Sequence, residues 1–371
     1  MSPASPNPPS PPLTISGLAV RAVHVPMRIP LQTSSGTIGI APLALLDLHT
    51  AQGVVGRTYL FCYTPLVLQP VCALLRNLEP VLRGLAVAPL AIDQMLHARF
   101  RLLGSKGVVG MALAGIDMAA WDALAKAQGQ PLARALGAEV CEIPAYNSCG
   151  LGLVGAAKAA AEAELLAAPG FEAIKVRLGY PTLAEDLAVV RAVKRAVGDQ
   201  VQLMSDYNQV LPTPEAALRI RALGDEGLSW IEEPCAADDY EGYARLRAGA
   251  TTPIQMGENW WGPKEMAASL RAGASDLGMP DAMKIGGVSG WLQAAALAQA
   301  AGMPLSTHLF PEVSVHLMAA TPTRHWLEFV DWASPILADP MEVRAGKARV
   351  PDAPGTGIEW NEAAVERHRV H

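Results

Sequence analysis

Asp206, Glu232 and Glu258 stand 26 residues apart, each at the end of a short apolar run: 201–205, 228–231 and 253–257. A strand, a helix and two loops fill about that length. Three successive βα units therefore place all three carboxylates at one end of a parallel sheet or barrel. The carboxyl ends of parallel strands are where such barrels do chemistry. Hard oxygen ligands converging there suit Mg²⁺.

The same alternation runs from residue 143 to about 330. Candidate strands are 143–148, 173–177, 201–206, 229–232, 253–258, 277–279, 305–308 and 326–329. Eight strands separated by helical stretches predict a closed α/β barrel, spanning 141–334. Ahead of it, residues 15–60 show short apolar runs with turns, an antiparallel strand group, and residues 65–137 turn helical. Residues 15–140 are thus expected to form an α+β domain, to which the segment 335–371 returns. Between the first two strands, the small-residue stretch 32–39 reads as a mobile loop. Residues 1–14 begin rich in Ser and Pro, with no basic and apolar regions in succession, and read as a disordered tail rather than a signal peptide.

The composition excludes several classes. With 29 Lys and Arg against 35 Asp and Glu, the chain has no electrostatic footprint for nucleic acid. The apolar residues form no uninterrupted 18-residue span, so no membrane partner is expected. The five cysteines (Cys62, Cys72, Cys141, Cys149 and Cys235) form no CxxC pair, which fits a reducing cytoplasm.

Further polar residues fall at the ends of the same strands. Lys175 and Arg177 are two apart and share one strand face. They lie beside the strand of Asp206, where two cations can clamp an anion. Asp281 and His308 close two successive strands, and such a carboxylate can fix the imidazole's tautomer and raise its basicity. Glu328 ends the last strand, where a protonated carboxyl can donate to a substrate oxygen. Lys284 lies just past Asp281, before the Gly286-Gly287 pair that lets backbone approach a ligand. Asn208, two past Asp206, can point back to the metal. Glu233 faces away from Glu232 and reads as support. His316 and His325 have no partner in the pattern and read as structural.

Together these residues resemble the enolase superfamily and, within it, the mandelate racemase subgroup. The likeness runs from about Leu18 to the C-terminus. It rests on the stretch 112–126 (ALAGIDMAAWDALAK) and on 206–209 (DYNQ), 230–234 (WIEEP), 256–260 (MGENW), 280–287 (PDAMKIGG), 306–310 (STHLF) and 58–65 (TYLFCYTP). The resemblance implies a modified (β/α)₇β TIM barrel under an N-terminal α+β capping domain. It implies Mg²⁺ on Asp206, Glu232 and Glu258 and a His308–Asp281 base. It makes Lys175 the group that polarises the substrate carboxylate, and Glu328 a hydrogen-bond donor to it. Ser148 and Asn208 match site positions. Substrate selection falls to the loop 32–39 and to the stretch around Tyr59, with Ser34 and Ser35 making the pocket more polar. A homo-oligomer, on the pattern of an octamer, is also implied.

The expected chemistry is removal of the α-proton of a 2-hydroxycarboxylate to give an enediolate. A racemase or epimerase is the first reading. The subgroup motif on the second strand is K-x-K, its second Lys being the base opposite His. Here that position is Arg177, whose guanidinium stays protonated with a pKa above about 12. The alternative is therefore an acid-sugar dehydratase with His308 as sole acid and base. A second alternative is a metal-dependent acid-binding protein without turnover.

Overall fold

The computed structural model describes residues 12–34 and 36–370. The proposed tail, up to residue 11, and Ser35 lie outside the described residues.

Three antiparallel strands open the chain: β1 (Ile15–Thr33), β2 (Gly36–Thr50) and β3 (Val55–Phe61), in the order β1-β2-β3. The stretch 32–39 is not an irregular loop. Its register pairs Leu31 with Ile38, Gln32 with Thr37 and Thr33 with Gly36, so the two strands stay paired as far as Thr33 and Gly36. Alternation sets which side chains face inward there: Leu31 is buried, whereas Gln32 and Ser34 are exposed. Helices Pro65–Leu82 and Gly107–Ala127 cover the sheet, and Pro89–Arg99 and Leu132–Ala135 pack against Gly107–Ala127.

The Gly107–Ala127 helix is long and apolar enough to cross a membrane by length and composition. Here 72% of its apolar window is buried inside the protein. Gly56 of β3 permits its close approach, because a Cβ there would sit 2.0 Å from the Ala119 carbonyl oxygen.

The second part is a ring of parallel strands: β4 (Glu142–Asn147), β5 (Ala173–Arg177), β6 (Gln202–Asp206), β7 (Ile231–Glu232), β8 (Ile254–Met256), β9 (Leu277–Gly278) and β10 (Leu327–Phe329). Each pairs with the next from β4 to β9, and β10 returns to pair with β4. All five residues of β5 are buried, as a strand covered on both faces requires. The expected strand 305–308 is not a ladder but a set of isolated bridges, Gly278 to Leu305, Leu305 to Arg324 and Asp281 to His308. Pro280 and Pro304 directly precede the bridged residues Asp281 and Leu305, and a proline has no N–H to give a ladder. Both act only as acceptors, from His308 at 3.2 Å and Gly278 at 3.0 Å. The barrel is thus a modified TIM barrel whose seventh position is irregular.

β11 (Val343–Arg344) and β12 (Lys347–Arg349) form a hairpin beside β4. Beyond it the chain returns to the first sheet. The Val370 N–H donates to the Ala22 carbonyl at 2.9 Å, and the Trp360 indole donates to Asp47 Oδ1 at 2.8 Å.

Candidate active site

Asp206 ends β6, Glu232 ends β7, and Glu258 stands two residues past β8. All three are buried, and one oxygen from each lies within 4.8 Å of the others. Among the described residues this is the one cluster able to hold a metal ion. Asn208 fixes Asp206 with two bonds: its N–H donates to Oδ1 at 2.8 Å and its Nδ2 to Oδ2 at 2.9 Å. Asn208 and Gln209 both hold a left-handed backbone, φ 47° and 66°, so the turn is strained to point that amide back. The Trp230 indole donates to Glu232 at 3.1 Å.

Three carboxylates share one dry space with too little positive charge. Burial first, then Asp206, pushes the Glu232 carboxyl well above the usual range, against the pull of Lys175. A divalent cation relieves that crowding, so the donor set fits Mg²⁺.

Lys175 lies 2.8 Å from Glu232, 2.9 Å from Glu328 and 3.5 Å from Asp206. Burial works against its charge, but Glu232 and Glu328 outweigh it and hold its pKa far above the ordinary value. Glu328 is not the neutral donor expected from its strand-end position. Burial opposes its charge too. Yet Lys175, His308 and the Leu309 N–H, which donates to Oε2 at 2.8 Å, hold its carboxyl well below the usual range.

His308 Nδ1 is 2.7 Å from Asp281 Oδ2. Asp281 Oδ1 is itself fixed by the N–H groups of Met283 at 2.7 Å and Lys284 at 2.9 Å. The dyad leaves Nε2 toward the cavity, 3.2 Å from Glu258. Burial lowers the imidazole's pKa, but Glu258 and Asp281 outweigh it and raise it to about 9.

Arg177 is buried against the chain itself. Its Nη1 donates to the carbonyls of Ser148 at 3.1 Å and Gly150 at 2.9 Å, and its Nη2 to Ser148 Oγ at 2.8 Å.

These groups surround a cavity of about 470 Å³. Lys175, Arg177, Asp206, Asn208, Glu258, Lys284, His308 and Glu328 reach it from the barrel side. Three of the expected substrate contacts do not. Ser148 is fully buried behind Arg177. Ser34 is exposed at the hairpin connection, so it adds no polarity to the cavity. Tyr59 is buried away from it, and its hydroxyl donates to Glu312 Oε2 at 2.7 Å.

The first part of the chain instead contributes Phe61, the last residue of β3, and Tyr63, two residues past its end. Sequence reading named the stretch but not the right members of it. Asn259 was also missed, though it adjoins Glu258. It donates to Glu233 at 2.8 Å and accepts from Lys284 at 2.7 Å, so Glu233 does serve as support.

Comparison with known proteins agrees with this geometry. Residues 15–137 match the mandelate racemase/muconate lactonizing enzyme N-terminal domain, and residues 158–364 the enolase C-terminal domain-like family. An enolase structure from Bradyrhizobium, complexed with magnesium and mandelic acid, is 43% identical, covering 98% of this chain and all of that one at a TM-score of 0.93. The L-talarate/galactarate dehydratase of Salmonella typhimurium is 36% identical over 71% of this chain, a match that spans 66% of that enzyme. The D-galactarolactone cycloisomerase of Agrobacterium fabrum is 33% identical over 74% of this chain and 78% of its own length. Dehydratases and cycloisomerases thus stand among the relatives, and magnesium occupies the structural neighbour. With its carboxylate trio, its base dyad and both domains matched, the chain belongs to the mandelate racemase/muconate lactonizing enzyme group of the enolase superfamily, a group of magnesium-dependent enzymes.

Proposed function

We propose that this enzyme eliminates water from a 2,3-dihydroxycarboxylate, with His308 as its only acid and base. The observation that carries this reading is Arg177, a cation tied by three hydrogen bonds at the position of the subgroup's second base. Racemisation needs a second group to return the proton from the opposite face. Inversion in both directions also needs that group to act as a base, which a guanidinium, protonated at neutral pH, cannot do. The dehydratase relative supports the same reading, and the mandelic acid held by the Bradyrhizobium neighbour supports a 2-hydroxycarboxylate as the ligand class.

Bound Mg²⁺, held by Asp206, Glu232 and Glu258, supplies electrophilic stabilisation of the carboxylate oxygens. Lys175 adds a fixed positive charge beside it. His308 Nε2 takes the C2 proton while Asp281 holds Nδ1–H and steadies the imidazolium. The electron pair left at C2 forms the C2–C3 double bond as the C3–O bond breaks. The same imidazolium returns its proton to the departing hydroxide, releasing water. The enol that remains tautomerises to a 2-keto-3-deoxy acid.

A cytoplasmic setting is supported by five free thiols, and homo-oligomeric assembly belongs to the same proposal, to be sized by light scattering.

¹H NMR in D₂O over a panel of 2-hydroxy and 2,3-dihydroxy acids tests the reaction. The expected result is a 2-keto-3-deoxy product with deuterium at C3 from the dihydroxy acids, and exchange without inversion at C2 of acids lacking a 3-hydroxyl. Inversion at C2 by the unmodified enzyme would overturn the single-base reading.

A further inference from the structure

We propose that the acid taken by this site carries one hydroxyl beyond C2 and then an apolar end of aromatic size, in place of a polyhydroxy chain. The inference rests on the elimination reading and adds the substrate's far end to it.

The cavity has two chemically different walls. The barrel wall is charged, as described. The opposite wall comes mostly from the first part of the chain and from one residue past β10. Leu31 and Ile38 are a cross-strand pair of the β1–β2 hairpin. Phe61 ends β3, its ring 4.9 Å from that of Trp332. Val67 and Met111 come from two of the covering helices. An acid whose carboxylate sits among Lys175 and the metal ligands directs its other end at this wall.

Hydroxyls on C4 to C6 of a sugar acid would press on these side chains. A hydroxyl buried without a partner costs roughly tenfold or more in affinity, and several in a row multiply. An aryl or alkyl group meets instead a surface that gains from excluding water.

The seam between the walls has room for one more polar contact. Tyr63 lines the cavity there with a left-handed backbone, φ 56°. Its ring lies 4.5 Å from Lys284 Nζ. Its phenol oxygen is buried and has no hydrogen-bond partner among the described residues. Buried hydroxyls in folded proteins are nearly always paired; this one has no partner and almost no accessible surface, so it meets the ligand's 3-hydroxyl by a turn of its side chain toward the cavity. Thr33 and Thr64 sit further along.

The test uses the full-length, Mg²⁺-loaded enzyme and three probes: the four stereoisomers of 2,3-dihydroxy-3-phenylpropanoate, galactarate and mandelate. Elimination from the phenyl acid removes the C2 proton and the C3 hydroxyl and yields phenylpyruvate and water. We expect kcat/KM for one phenyl stereoisomer to exceed that for galactarate by at least 100-fold. The doubly substituted Ile38→Thr, Val67→Thr enzyme, altered only at part-exposed positions, should narrow that ratio at least tenfold. Galactarate turning over as fast as the best phenyl isomer overturns the substrate inference and leaves the elimination reading standing. Deuterium exchange at C2 of mandelate and of the phenyl acid, without phenylpyruvate, overturns the elimination reading and leaves the apolar end standing. No exchange and no product from the phenyl acid and mandelate overturns the inference.

Discussion

Arg177 Nη2 donates to Ser148 Oγ at 2.8 Å, which turns two residues of the expected substrate site toward each other. Nη1 completes the hold on the carbonyls of Ser148 and Gly150. The guanidinium stiffens the strand end and lends positive charge beside Asp206, 4.0 Å away. Replacing it by Lys changes the chemistry available. A Lys among other cations can be tuned toward neutrality, and Arg resists this. Arg177→Lys should therefore acquire C2 inversion that the unmodified enzyme lacks. Polarimetry on enantiopure mandelate measures it, and an optical rotation as constant as the unmodified enzyme's would count against the one-base account.

The metal site makes a prediction that needs no turnover. A ligand that binds only the folded state at a hundredfold excess over Kd stabilises by about 2.7 kcal/mol. Mg²⁺ should thus raise the melting temperature by several degrees, and chelation should reverse the rise. Asn208→Gly keeps a residue suited to φ 47° but deletes the amide that fixes Asp206. Outer partners of this kind are worth roughly 10- to 100-fold in metal affinity. The variant's melting curve should respond only at correspondingly higher Mg²⁺. An unchanged Mg²⁺ titration would show that Asp206 is oriented without Asn208.

Tyr59 was expected to select substrate and instead holds Glu312 Oε2 at 2.7 Å, both residues being buried. Tyr59→Phe leaves that carboxyl without its hydroxyl partner. An unsatisfied buried acceptor costs about 1–3 kcal/mol. The expected outcome is a loss of that size in denaturant unfolding, with KM close to the unmodified value. A large rise in KM with full stability would return Tyr59 to the substrate.

Tyr59 also marks where sequence legibility stopped. Groups placed at barrel strand ends were readable, because a parallel strand's period of two and its fixed polarity say where its last side chain goes. Lys175, Arg177 and Asp206 reach the cavity for that reason. Glu258 was expected inside its strand and instead stands two residues past β8, yet the turn there still delivers it. The apolar wall was not readable. It is assembled from a hairpin, a strand end and helices whose mutual docking no local pattern specifies. Ser34 and Leu31 are three residues apart, and only the hairpin register decides that Leu31 is buried while Ser34 is exposed. The charge state of Glu328 was missed for a related reason. It depends on Lys175, 153 positions earlier in the chain, lying 2.9 Å away.

His316 was read as structural from its lack of a sequence partner, and its surroundings predict how stability follows pH. The Ala133 N–H donates to Nδ1 at 3.2 Å, and Nε2 lies 3.2 Å from the Thr356 carbonyl. That pair fits only the neutral ring with its proton on Nε2, since a proton on Nδ1 would face a donor. Burial lowers the pKa to about 4, against a smaller opposing pull from Thr356. In the unfolded chain the same ring titrates near 6.5. Between those values the unfolded state binds the extra proton, so stability rises with pH. The contribution is fully present above about pH 6.5 and is lost as pH falls toward 4, up to roughly 3 kcal/mol in all. His316→Gln, which keeps a donor and an acceptor but does not titrate, should flatten this part of the curve. The check is the difference in unfolding free energy between the two proteins at pH 7 and at pH 4.5. A difference that stays constant over that interval would mean the ring is not held neutral by its neighbours.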